Sequence, residues 1–162
     1  PDEWPPWEDH GRLQCTAAEG YPLTVSLGVV ERALRILDAI ARALEHEGFR
    51  IVGADEPLRR AGTTKNAGLC VVKCDERLHF WCREGYSRRE RTAAELAAAK
   101  RAHEYVTKCE YLPNGRLVIE MEGEEYGLSA IFRESGDVRL EDELGRIVAA
   151  FVEVRPGSAA YP

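Results

Sequence analysis

Residues 28–49 most narrow what this chain can become. Val30, Ala33, Leu34, Leu37, Ile40, Ala41 and Leu44 recur at three-and-four spacing, which puts them on one face of a helix. Arg35, Asp38, Arg42 and Glu45 fall on the other face, where Glu31–Arg35 and Asp38–Arg42 are spaced four apart with the acid first. Gly48 stands where a left-handed residue ends a helix, and Phe49 can then fold back onto Leu44. The segment predicts a core helix over 28–47. Its outer face is charge-balanced, a poor phosphate binder, and is expected to meet solvent or a protein partner through Arg35 and Arg42.

A stripe of this width needs a second layer to cover it, and the remaining chain offers strands. Tyr21–Leu27 alternates, with Leu23, Val25 and Leu27 on one side. Phe49–Gly53 reads as a short strand and 55–65 as a loop. Leu69–Cys74 and Leu78–Arg83 read as a hairpin with Asp75-Glu76 as its turn, pairing Val71 with Phe80 and Val72 with His79. Leu69, Val71, Leu78 and Phe80 would then share the core face. Thr92 with Glu95 forms a capping box that starts a helix running to about Ala102. Glu104–Leu112 and Arg116–Glu122 suggest a second hairpin around Pro113-Asn114-Gly115. Leu128–Phe132 is a further strand. Leu140, Leu144, Ile147, Val148 and Phe151 define a closing helix over 140–153.

The expected fold is therefore α+β: a mostly antiparallel sheet of hairpins packed against the long central helix (28–47) and the C-terminal helix (140–153). At 162 residues a single domain is expected, covering 21–155. An extended Trp/Pro-rich arm (1–20) would precede it and a tail (156–162) follow. Trp4 and Trp7 in that arm are candidate anchors for a partner.

Composition narrows function more by exclusion. A net charge of −6 opposes a grip on nucleic acid over the whole surface, though not a local basic patch. No apolar run approaches the roughly 18–20 residues that span a bilayer, and no signal peptide is recognisable, so no membrane association is expected. Five cysteines, an odd number in a chain of this size, favour reduced thiols and a cytoplasmic setting. A start at Pro1 rather than Met fits excision from a longer protein.

Cys70, Cys74, His79 and Cys82 have the residue types of a zinc site, but the spacing opposes one. Residues four apart on a strand lie roughly 13 Å apart at about 3.3 Å per residue, beyond the reach of one ion with ligands at about 2.0–2.3 Å. Cys82 would also face the opposite way. His10, His46, His79 and His103 are scattered and none sits in a nucleophile signature. Gly62-Thr63-Thr64-Lys65 lacks the framework of a phosphate loop. Glu120 and Glu122 share a strand face, but Val118–Glu122 lacks the lysine a nuclease strand couples to its acids. No catalytic residue, metal or cofactor is expected. One segment leans toward function: between Arg83 and Lys108 seven positive charges face four glutamates, a local net of +3. Arg88, Arg89 and Arg91 would lie in a flexible loop before a helix, with Lys100 and Arg101 at its end, and could meet phosphates.

With these elements in order, the chain resembles a family of uncharacterised bacterial proteins found on phages and other mobile elements. The resemblance rests on Val25-Ser26, on Glu31–Ile40, on Phe80-Trp81-Cys82-Arg83-Glu84, on Asn114-Gly115-Arg116-Leu117 and on Arg139–Leu144. It implies the C-terminal domain of a protein with an upstream helix-turn-helix-like segment, and a DNA-associated or accessory role without a known activity. The family's loop before the last helix is strongly basic, whereas here it reads Arg133-Glu134-Ser135-Gly136-Asp137-Val138.

The expected function is a non-catalytic interaction or homo-oligomerisation module of a DNA-associated protein. The alternatives are direct nucleic-acid binding through Arg83–Arg101, or an enzyme of unrecognised mechanism assembled from distant residues. Leu37→Asp is expected to unfold the domain, because an unpaired buried carboxylate costs on the order of a marginal domain's net stability. Arg42→Ala should shift stability by less than about 0.5 kcal/mol. Chemical denaturation of the two variants checks both.

Overall fold

The computed structural model describes residues 12–15, 21–52, 69–73, 76–123 and 129–153. Strand β1 (Arg12–Cys15) pairs with β2 (Leu23–Ser26), and a 3-10 turn at Leu27–Val29 leads into α1 (Val30–His46). Then come β3 (Arg50–Val52), β4 (Leu69–Lys73), β5 (Glu76–Glu90), α2 (Ala93–Arg101), β6 (Cys109–Gly123) and β7 (Ser129–Arg133). A second 3-10 turn at Leu140–Glu143 opens α3 (Leu144–Glu153). The fold is α+β with a mostly antiparallel sheet. The exception is β2, which runs parallel to β5 at Leu23–Cys82 and Thr24–Arg83. Parallel neighbours need a crossover, and α1 is the helix inside it.

The sheet is built on β5. One of its edges carries β4 along 76–80 and β2 at 82–83, while the other pairs with β6 out to Glu90. β7 flanks β6. Leu78, Phe80, Cys82, Leu117, Ile119, Met121 and Phe132 point from these strands to one face, where α1 and α3 complete the core. The Phe80 and Phe151 rings meet edge to face with centroids 5.3 Å apart, a favourable aromatic geometry.

α1 ends as its sequence dictates. Gly48 has φ +86°, Phe49 N–H donates to Leu44 O at 2.9 Å and Gly48 N–H to Glu45 O at 3.0 Å, the two bonds of a Schellman cap. Lys73 reinforces that end: its Nζ donates to Glu47 O at 2.6 Å and lies 5.0 Å from the Phe49 ring centre, a cation placed at a helix C-terminus. The buried stripe is Ala33, Ile36, Leu37, Ile40, Ala41 and Leu44. It differs from the predicted one because α1 is covered by the sheet and by α3 together. The buried arc widens to Ile36, and Leu34 falls on its rim at 36% exposed.

Four sequence expectations change. Residues 12–15, placed in the extended arm, form an edge strand. The β4–β5 hairpin is shifted by two residues, pairing Leu69 with Phe80 and Val71 with Leu78. A two-residue shift leaves every side chain on its original face, so the hydrophobic pattern is blind to it. Arg88–Glu90, expected in a flexible loop, belongs to the strand. Pro113-Asn114-Gly115 is not a hairpin turn but an irregularity inside continuous β6: Glu84 pairs with Leu117 and Tyr86 with Pro113, so three residues of β6 oppose Gly85.

Glu84 holds that bulge in place. Its side chain is on the core face and 1% exposed. One carboxylate oxygen accepts from Ser26 N–H at 2.7 Å and the other from Gly115 N–H at 2.7 Å. The carboxylate thus ties the end of β2 to the bulge of β6 across β5. Gly115 sits at φ +74°, a conformation that costs a side chain strain. Glu84→Gln replaces one acceptor oxygen with a donor facing a buried N–H. It should cost about 2 kcal/mol or more, read as a lowered denaturation midpoint with unchanged slope; a loss below about 0.5 kcal/mol contradicts this role.

Candidate functional site

The bulge changes which side chains share a face. On β5 the alternation runs Trp81, Arg83 outward and Phe80, Cys82, Glu84 inward. Beyond Gly85 the outward residues are Tyr86 and Arg88, so the phase has slipped by one, as bulges do. The result is a cleft of about 470 Å³ on the far side of the sheet from α1. It is lined by Arg83, Tyr86, Arg88, Tyr111, Asn114 and Arg116, with Val118, Arg133, Gly85 and Glu134 completing its wall. A Cβ on Gly85 would approach the Asn114 amide atoms to 3.2–3.3 Å, so glycine lets the bulge close against β5.

Four arginines from three strands converge here. Arg83 and Arg133 flank Val118 across the sheet. Arg83 Nε donates to Glu120 at 2.7 Å, and Glu120 also accepts from the Trp81 indole at 2.8 Å. Arg88 Nη2 donates to Cys109 Sγ at 3.0 Å. Neither Arg88 nor Arg116 is ion-paired to a carboxylate among the described residues. Asn114 Oδ1 accepts from Arg116 N–H at 3.0 Å, a local turn that fixes the base of the Arg116 side chain. Tyr111 lies opposite Arg88, and Tyr86 opposite Pro113, so the two tyrosines are diagonal neighbours on one face.

The remaining basic candidates are placed elsewhere. Arg89 turns to the opposite face of the ribbon, where it is bound by Glu110 and by Glu95 at 2.8 Å. Arg91 pairs with Glu110 at 3.0 Å. The Glu95 carboxyl is held down to about 2 by the Arg89 hydrogen bond and by the Thr92 backbone and hydroxyl of the predicted capping box. Lys100 and Arg101 occupy the exposed last turn of α2. Arg35 and Arg42 form the predicted surface pairs with Glu31 and Asp38. Trp4 and Trp7 lie outside the described residues. Of the predicted Arg83–Arg101 basic segment, Arg83 and Arg88 reach the cleft. Arg116, Arg133, Tyr86, Tyr111 and Asn114 were not read as site residues from sequence.

Behind the cleft stands a second buried carboxylate. Glu134 is 6% exposed. It accepts from Leu117 N–H at 2.8 Å and Leu140 N–H at 3.1 Å, and pairs with Arg32 of α1, which also binds Glu141 at 2.6 Å. The acidic departure before the last helix is thus a latch joining β7, β6, α1 and the start of the C-terminal helical segment. Burial pushes the Glu134 carboxyl up, but the Arg32 hydrogen bond and the two backbone donors outweigh it and leave it below the ordinary range. The Arg32 hydrogen bond lowers Glu141 as well.

Cys70 and His79 are cross-strand neighbours, while Cys82 sits on the core face with its thiol pushed up to about 12 by burial. Cys74 lies outside the described residues. No group of three or more metal-ligating side chains comes together among the described residues, and none of their helices is long and apolar enough to cross a membrane. No protein family, curated protein or solved structure matches the chain.

Because Glu134 and Glu141 are held below the unfolded glutamate value of about 4.3, their stabilisation is complete above that value and fades as pH falls through the lower folded values. Stability should drop as the pH falls below about 4.3. Glu134→Gln should make that drop shallower in urea melts across the range; an equally steep drop in the variant contradicts the latch.

Proposed function

We propose that this chain is a non-catalytic binding module that engages nucleic acid directly through the arginine cleft. The observation that carries the reading is the convergence of Arg83, Arg88, Arg116 and Arg133 with two tyrosines and an asparagine on one face of the β5–β6–β7 sheet. Arginine offers planar, multiply donating contacts to phosphate oxygens, and tyrosine offers a flat apolar surface to a base. The charge balance is compatible with a local site: a chain of net charge −6 gathers four arginines around one cleft.

A protein-interaction or homo-oligomerisation module is the second reading. What favours it is β7, which pairs only with β6 among the described residues and presents Ile131 at 51% exposed. An open strand edge is a template for a second chain.

A labelled 12-nucleotide strand should bind with a log–log salt slope of about −2, set by roughly three phosphate contacts at about 0.7 each. Arg88→Ala with Arg116→Ala should weaken binding at least about tenfold at 50 mM salt and flatten the slope by about 1.4, while Arg35→Ala with Arg42→Ala changes neither. Absence of binding at 50 mM salt, or equal losses in both double variants, contradicts the cleft as the site. A strict monomer by light scattering removes homo-oligomerisation from the second reading.

A further inference from the structure

We infer that the cleft selects single-stranded over duplex nucleic acid, seating an unpaired base against Tyr86 or Tyr111 while the arginines take its flanking phosphates. This rests on the nucleic-acid reading above and specifies its ligand.

Three features carry it. The first is the pairing of aromatic and cationic groups within one small space. Tyr111 faces Arg88 across the ribbon and Tyr86 sits two residues before Arg88 on the same face, so a base stacked on either ring leaves its phosphate beside a guanidinium. Base–aromatic stacking of this kind tolerates any sequence because every base has a π-face. The second is size. A cleft of about 470 Å³ has the volume of a small-molecule site. It admits one or two nucleotides whose bases are exposed, but a duplex keeps its bases stacked inside and would offer only its sugar–phosphate rim. The third is the length of the positive track. At one end Arg83 is already paired with Glu120, and at the other β5 closes on Glu90. The long run of phosphates along a rigid duplex would therefore find cationic partners for only a few contacts. A flexible strand can enter and leave so short a track.

Fluorescence anisotropy with labelled 12-nucleotide oligo(dT), the same strand annealed to oligo(dA), and polyphosphate as competitor separates the outcomes. The single strand should bind at least about tenfold more tightly than the duplex. Tyr111→Ala, with circular dichroism confirming the fold, should weaken single-strand binding by about fivefold or more without changing the salt slope, and Tyr111→Phe should restore it. Arg116→Ala should flatten the slope by about 0.7. Duplex binding equal to or tighter than the single strand overturns the selectivity while leaving the nucleic-acid reading standing. Loss of the salt slope rather than stacking affinity in Tyr111→Ala, or competition by polyphosphate as effective per charge as oligo(dT), overturns the role of the ring. Failure of both strands to bind at 50 mM salt removes the underlying reading as well.

Discussion

The Glu84 carboxylate, buried under the sheet and shared between the N–H groups of Ser26 and Gly115, governs the geometry of everything beyond it. A buried carboxylate is costly unless its oxygens are satisfied, and here both are, one by the N–H at the end of β2 and one by the N–H at the β6 bulge. The bond to Ser26 fixes where β2 stops and the chain turns into α1. The bond to Gly115 fixes where β6 departs from regular pairing. Because the two donors lie on opposite sides of β5, one side chain sets both the entry to the central helix and the slip in phase that aims Tyr86 and Arg88 into the cleft.

Glu134 plays the corresponding part on the other side of β6. Its carboxylate caps Leu117 and Leu140 and draws Arg32 across from α1. The neighbouring Arg133 remains on the outer face beside Val118 and Arg83. The two acids therefore divide the work of the sheet. Acids on the helix side lock the frame, and arginines on the far side line the cleft. The pairing of Arg89 and Arg91 with Glu110 and Glu95 shows the same economy: basic residues adjacent in sequence are split by the strand's alternation into one that lines the cleft and two that brace the ribbon against α2.

This division marks the limit of what the chain discloses as a string. The α1 helix, its Gly48 cap, its surface ion pairs and the Thr92 capping box are local, and their signals are correspondingly plain. The core face of β4 and β5 was legible, yet their register was not, since a shift of two residues preserves every face. Pro113-Asn114-Gly115 carries strong turn chemistry, but the pairing of Tyr86–Glu90 with Cys109–Pro113 outweighs it and draws the segment into one long strand. The cleft depends on that outcome. Before the pairing is known, Tyr111 and Arg116 read as members of a separate hairpin, and Arg88–Arg91 as one undivided basic loop. Glu110, the partner of Arg89 and Arg91, lies about twenty residues away in sequence, so nothing local separates those arginines from Arg88.

A nucleic-acid strand lying along the bulged stretch of the β5–β6 ribbon would show itself in backbone amide NMR of the 15N-labelled protein titrated with unlabelled 12-nucleotide oligo(dT). Shift changes should concentrate on residues 85–88, 111 and 114–116, with the exposed faces of α1 and α2 unmoved. Changes centred on α2 around Lys100 and Arg101, or on the β7 edge, would contradict it.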